Sequence, residues 1–353
     1  MRHGQQTGAR RLRRWARGAA GIALLAGCLP EAPPPWQVDH TIVGAFRVEV
    51  EDAGAWSAVS PRADRTIAEV MPGDTIRPRP WIIGPDGPVD ADADPPRYFY
   101  CEAASCLGAV TRPGGVPDCD DGELGEEVPP SRTCELRGGR LKLGEMTALR
   151  GLPALLMVSG TPEGPDADTC LRRLRGLDGA AESLQDCIIS VHVLELGPTW
   201  RRLLLAVYLE LEDAVPLSLV TDEVTAAEPD LFPGEPALAV TVASPGEAPR
   251  ERTPERGETI AVRPGAAIEV TAEVDPLDAQ TSWFIDSQGA FSSAPEVLTI
   301  GWLFSEEVAW TTPDLLTVRF TAPTRSGPLV VYALLGDGDG VTGTWLRFEV
   351  AQP

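Results

Sequence analysis

Asp90, Asp92 and Asp94 put a carboxylate at every second position. That spacing suits the opening of a loop that wraps calcium, a cation that collects several hard oxygen ligands. Pro95 stands where such a loop would turn on glycine, and Cys101 where its last glutamate belongs. The cluster therefore reads either as a calcium site or as a solvated loop, and the two missing residues favour the loop. Asp337 and Asp339 form a second acidic pair inside the run GDGDG. That run also reads as a hairpin tip in which glycine supplies positive φ. Beyond residue 3 the histidines are His40 and His192. His192 alternates with Val191 and Val193, the pattern of a strand with the imidazole on its solvent face. The chain has no G-x-S-x-G nucleophile turn, no H-E-x-x-H helix and no Walker phosphate loop. Acid pairs of the kind that hydrolyse glycosides are too numerous here for any one pair to stand out.

The elements that carry these residues begin after a distinctive N-terminus. Arg2, Arg10, Arg11, Arg13, Arg14 and Arg17 precede the apolar stretch Gly21–Ala26, which ends on Gly27 and Cys28. A basic segment, a short apolar core and small residues before a cut site make a secretory signal. The apolar core is about half the roughly 20 residues that a membrane span needs. Leu25-Ala26-Gly27-Cys28 resembles the lipobox of bacterial lipoproteins. The resemblance implies cleavage before Cys28, acylation of its thiol and a chain held to the cell envelope. Leu29 in place of aspartate at the second mature position implies the outer membrane rather than the inner. Pro33-Pro34-Pro35 would then act as an extended spacer.

Removing the signal's six arginines leaves 24 basic against 52 acidic side chains, a net charge of about −28. Such a surface repels phosphate backbones, which excludes a nucleic-acid partner. Lys142 is the only lysine and asparagine is absent, a bias of composition rather than of function. Six cysteines remain: Cys101, Cys106, Cys119, Cys134, Cys170 and Cys187. An even number in an exported chain, with no C-x-x-C pair, reads as three disulfides. Cys170–Cys187 is the best pair. Cys101–Cys134 enclosing Cys106–Cys119 would close the acidic excursion that runs from Glu102 to about Gly138.

Proline and glycine are scattered throughout, and the apolar runs are short and alternating, as in sandwiches and barrels. Val70-Met71-Pro72-Gly73-Asp74-Thr75-Ile76 is echoed by Val262-Arg263-Pro264-Gly265-Ala266-Ala267-Ile268. Tyr98-Phe99-Tyr100 is echoed by Trp283-Phe284-Ile285, and Pro153–Val158 by Pro328–Ala333. Closing strands are expected over Ile188–Leu196 and Thr344–Val350. In the latter, Leu346, Phe348 and Val350 share one face. A helix is expected within Pro165–Cys187, capped by Asp168 and packed through Leu171, Leu174 and Leu184. The order of these motifs resembles bacterial immunoglobulin-like and PKD-like domains, with Trp283-Phe284 in the aromatic core strand.

The fold class that follows is all-β. Two immunoglobulin-like sandwiches stand in tandem, the first enlarged by disulfide-stapled insertions with a short helix. The boundaries are a signal peptide over 1–27, a lipid-anchored tether over 28–38, a first domain over 39–222, a linker over 223–235 and a second domain over 236–353. The function implied is non-enzymatic: binding or scaffolding at the envelope through loops of the first domain, toward a protein or glycan ligand, without an obligatory cofactor. The alternatives are a hydrolase or its accessory subunit, and a calcium-dependent adhesion module.

Overall fold

Alternation in the sequence becomes strands at nearly every expected place. The computed structural model describes residues 36–54, 57, 62–71, 73–111, 134–135, 140–142, 153–176, 184, 186–195, 229–285, 291–337 and 340–352. Cys28 and Cys119 lie outside the described residues, as do the acidic run 120–127 and residues 199–212. The chain divides into Met1–Gln37 and Val38–Pro353, and the second unit holds every element below. The fold is mostly β, with two helices among the described residues.

In the first half, β1 (Ile42–Asp52) pairs with β2 (Thr75–Gly84), which also pairs with β3 (Gly87–Pro88) and β6 (Leu141–Lys142). A second sheet has the order β5 (Cys134–Glu135), β4 (Arg97–Glu102), β7 (Pro153–Ser159), β8 (Ile188–Val193). Val48, Ile76 and Ile82 of the first sheet pack against Tyr98, Tyr100, Leu155 and Met157 of the second. The opposite face of the second sheet carries α1 (Ala103–Thr111) and α2 (Ala167–Leu174). There Phe99, Leu156 and Val158 meet Cys106, Leu171 and Leu174. The second sheet is thus the middle of three layers. This is why β7 is apolar at almost every residue and buried along its whole length.

Helix α1 was not expected. Strand β4 runs straight into it, and the turn brings Cys106 back over the end of β4, where it is bonded to Cys101 with Cα atoms 5.6 Å apart. The nested pairing Cys101–Cys134 and Cys106–Cys119 is therefore corrected: the bridge is local because a helix, not a long loop, follows β4. Cys134 lies in β5 beside Tyr100. Cys170 of α2 is bonded to Cys187, immediately before β8. The cap of α2 is Asp166, which accepts from Thr169 N at 2.7 Å, rather than Asp168. Asp168 instead pairs with Arg97 at 2.8 Å, and that bond holds its carboxyl below the usual range.

The second half has two sheets and a hairpin. One sheet has the order β10 (Arg250–Arg252), β9 (Ala237–Ala243), β12 (Ala267–Glu273), β17 (Thr317–Thr321), β16 (Trp310–Thr311). The other has β11 (Thr259–Val262), β19 (Val341–Val350), β18 (Gly327–Gly336), β15 (Thr299–Phe304), with β11 parallel to β19. The core lies between them: Phe320 of the first sheet meets Phe304 and Phe348 of the second edge-on, at 5.3 and 5.7 Å. The strand that pairs with β18 is β15, with buried Trp302 and Phe304. The expected core strand Trp283-Phe284 lies instead in β13 (Thr281–Ile285), paired among the described residues with β14 alone (Phe291–Pro295). Gly73 and Gly265 of the two echoed motifs lie in turns at φ of 91° and 73°, which glycine adopts without a Cβ clash.

The two halves share a core. Val38, Ile83, Val330 and Tyr332 cluster there, flanked by Trp81 and Trp345. The buried Tyr332 hydroxyl donates to Gly84 O at 2.5 Å. Gly343 has no Cβ because one would lie 2.2 Å from the Trp81 ring. Arg62 and Arg65 reach across to Asp278, at 3.3 and 2.9 Å, and Asp278 also accepts from Gly234 N. Residues 229–235, at the end of the expected linker, are packed in: Ala68 N donates to Asp230 O, and Phe232 N to Thr66 O.

Candidate functional site: an acidic cleft beside an open strand edge

Four segments distant in sequence enclose a cleft of about 1110 Å³. They are the stretch entering β1, the β2–β3 turn with the loop that follows β3, the loop after β7 and the approach to β8. Six carboxylates line it, from Asp39, Asp86, Asp90, Asp94, Glu163 and Asp186, with no arginine or lysine among the lining residues. Its electrostatics favour cations, and a concave wall strengthens that field over an exposed surface.

The walls are held by specific bonds. Asp94 Oδ2 accepts from Ala167 N at 2.9 Å, which satisfies one of the open N–H groups at the start of α2. Gly160 lies so close to this junction that a Cβ would sit 2.2 Å from Pro165 O. The Thr161 hydroxyl donates to Asp186 O, and the Cys170–Cys187 bridge ties the same corner to α2. Asp90 Oδ1 accepts from Asp92 N at 3.0 Å, an Asx turn. Asp90, Asp92 and Asp94 are therefore not gathered into one ligand set. Asp94 faces a helix end, and Asp90 folds back on its own loop.

The carboxylates that do converge are others. Asp230, Glu296 and Asp337 each bring an oxygen within 4.8 Å of the other two, the one group of this kind among the described residues. Their chemistry suits a hard divalent ion. Asp337 is buried rather than at an open hairpin tip, and its Oδ1 accepts from Gly340 N at 2.7 Å. Asp339 lies outside the described residues. Spacing gave no sign of this group, because its members come from three separate segments.

A narrower groove of about 350 Å³, lined mainly by apolar residues with His192 and Glu195 among them and with backbone exposed along it, shares Val43 with the cleft and continues along β1 and β8. His192 lies in it. Its ring stacks on Phe46 at 3.7 Å, and Nε2 is 2.8 Å from Ser190 Oγ. Burial pushes its pKa down from 6.5 to about 4, so the imidazole is neutral at pH 7. The expected solvent-facing position is corrected. Because β8 belongs to a middle layer, Val191 packs toward the helices while His192 turns to β1. His40 is exposed beside Asp39 at the mouth of the cleft.

No helix among the described residues is long and apolar enough to cross a membrane. No protein-family model, no curated protein and no solved structure matches the chain.

Proposed function

We propose that this is an exported, lipid-anchored, non-enzymatic binding protein of the cell envelope, and that the cleft of its first half receives a cationic partner. The observation that carries the reading is the cleft's lining of six carboxylates with no lysine or arginine. Strand order supports two immunoglobulin-like sandwiches. β9-β12-β17-β16 facing β19-β18-β15 follows the A-B-E-D and G-F-C arrangement of such domains. β1-β2-β6 and β8-β7-β4 follow the same arrangement in the first half, without its last strand. The anchor rests on the Arg-rich, apolar, Leu-Ala-Gly-Cys succession that ends at Cys28, and the outer membrane on Leu29.

Two measurements test this. Intact mass should show an acylated Cys28 as the first residue, and Cys28→Ser should release the chain from membranes. Converting Asp90, Glu163 and Asp186 to their amides should weaken binding of a basic peptide by about tenfold or more. Unchanged affinity would refute the cleft as the binding site.

A hydrolase is the second reading, and the Ser190–His192 contact is what favours it. A base whose pKa is driven down to about 4 is weak at neutral pH, and it stacks against Phe46 rather than against a carboxylate. Treatment with a fluorophosphonate should therefore leave Ser190 unlabelled. Labelling that His192→Ala abolishes would reverse the order of the two readings.

A further inference from the structure

Among the described residues the outer edge of β8 is unpaired along its length. In the second half β11 covers the outer edge of β19 with a parallel ladder, from Thr259 opposite Arg347 to Val262 opposite Val350. The equivalent strand of the first half never crosses over, because β1 stays paired with β2 from Ile42–Ile83 to Asp52–Thr75. Among the described residues β8 pairs with β7 alone, and coverage resumes only beyond its end, where Val70 N donates to Glu195 O.

Natural proteins protect exposed edges with charge, proline, bulges or short strands. β10 is Arg-Glu-Arg, β16 has two residues, and β1 carries two register shifts. The edge of β15 receives a bond from Val38 N. β8 is Ile-Ile-Ser-Val-His-Val, six residues with no charge, no proline and a continuous register. Val193, near its end, is 45% exposed.

We infer that β8 accepts an added β-strand from a partner protein, an extended segment that is basic where it passes the acidic cleft and apolar where it follows the groove beside His192. The inference rests on the binding reading above and specifies its mode. Strand addition draws affinity from backbone hydrogen bonds and selectivity from the pockets beside alternate side chains. Six residues of edge offer about 20 Å of ladder. The cleft lies at the Ile188–Ser190 end and the apolar groove at the Val191–Glu195 end. Charge selects the occupant: a second copy of this acidic chain would bring carboxylate-lined clefts together, whereas a segment rich in arginine or lysine neutralises one.

The test uses the disulfide-bonded chain and a capped peptide of about eight residues, arginine-rich in one half and alternating valine and threonine in the other. Amide exchange at Ile188–Val193 should slow by about tenfold on binding. Methylating alternate backbone nitrogens of the peptide, in one of the two registers, should weaken it by about tenfold. About 0.5 M salt should weaken it as well. Ile189→Pro and Ser190→Pro place the ring on opposite sides of the strand. The variant whose proline faces outward should fold and lose the peptide.

Binding with unchanged exchange along β8, or equal binding of both methylated peptides, overturns strand addition while leaving a cationic ligand in the cleft. Undiminished binding by the folded proline variant does the same. A dimer protected along β8 without peptide overturns the choice of partner. Failure of any basic peptide to bind removes both this inference and the reading it rests on.

Discussion

Acid should destabilise this protein through His192 in a window set by one half-buried ring. The imidazole titrates near 6.5 when the chain is unfolded and near 4 when folded, because burial against Phe46 disfavours the charged form. Between these values the unfolded chain binds the proton and the folded chain does not. Stability is therefore intact above about pH 6.5, falls as the pH drops, and levels off below about 4. Two and a half pKa units correspond to about 3 kcal/mol. His192→Phe keeps an aromatic ring on Phe46 and removes the titration. The lost bond to Ser190 Oγ costs about 1 kcal/mol at every pH, so it shifts the curve without tilting it. Urea unfolding of both chains at pH 7, 6, 5 and 4 isolates the effect, because carboxylate contributions are common to both. The native chain should lose about 3 kcal/mol more than the variant between pH 7 and pH 4. Parallel curves would refute a neutral, half-buried His192.

Asp278→Ala should cost about 1–3 kcal/mol in the same assay, since Gly234 N loses its acceptor while Arg62 and Arg65 keep Asp64 and Asp275. Gly343→Ala should cost about 1–3 kcal/mol by forcing the Trp81 ring away, with a change in tryptophan fluorescence as its signature. Replacing Cys170 and Cys187 together by serine should cost about 3 kcal/mol and weaken basic-peptide binding, because the bridge holds one wall of the cleft.

What was legible in the sequence was whatever a local period or a nearby partner could encode. Ile268, Val270 and Ala272 alternate into the core of β12, and Leu346, Phe348 and Val350 into that of β19. Cys170 sits on the apolar face of a short helix that could be read directly, with Cys187 at the end of the same excursion. Helix α1 was not legible, because Ala103–Thr111 is small and apolar on most sides and carries no cap signal. Trp283-Phe284 misled because an aromatic pair marks a strand without saying which sheet it joins. His192 was misassigned because V-H-V implies one buried face, and a middle layer has two. The acidic cleft depends on four remote segments, and its glutamate and aspartates look like ordinary solvated charge until the fold turns them inward.

The junction between the halves also sets where a pull on the N-terminus is felt. Val38 is fully buried, and its N–H donates to Phe304 O of β15 at 2.7 Å, four residues before β1 begins. Tension entering there does not first peel a terminal strand from the first half. It loads β15 in the second half and β1 in the first together, across the Tyr332–Gly84 bond and the Trp81–Gly343 contact. A molecule moored by its N-terminus would then resist force as one body, and its rupture would appear as one large event rather than two smaller ones.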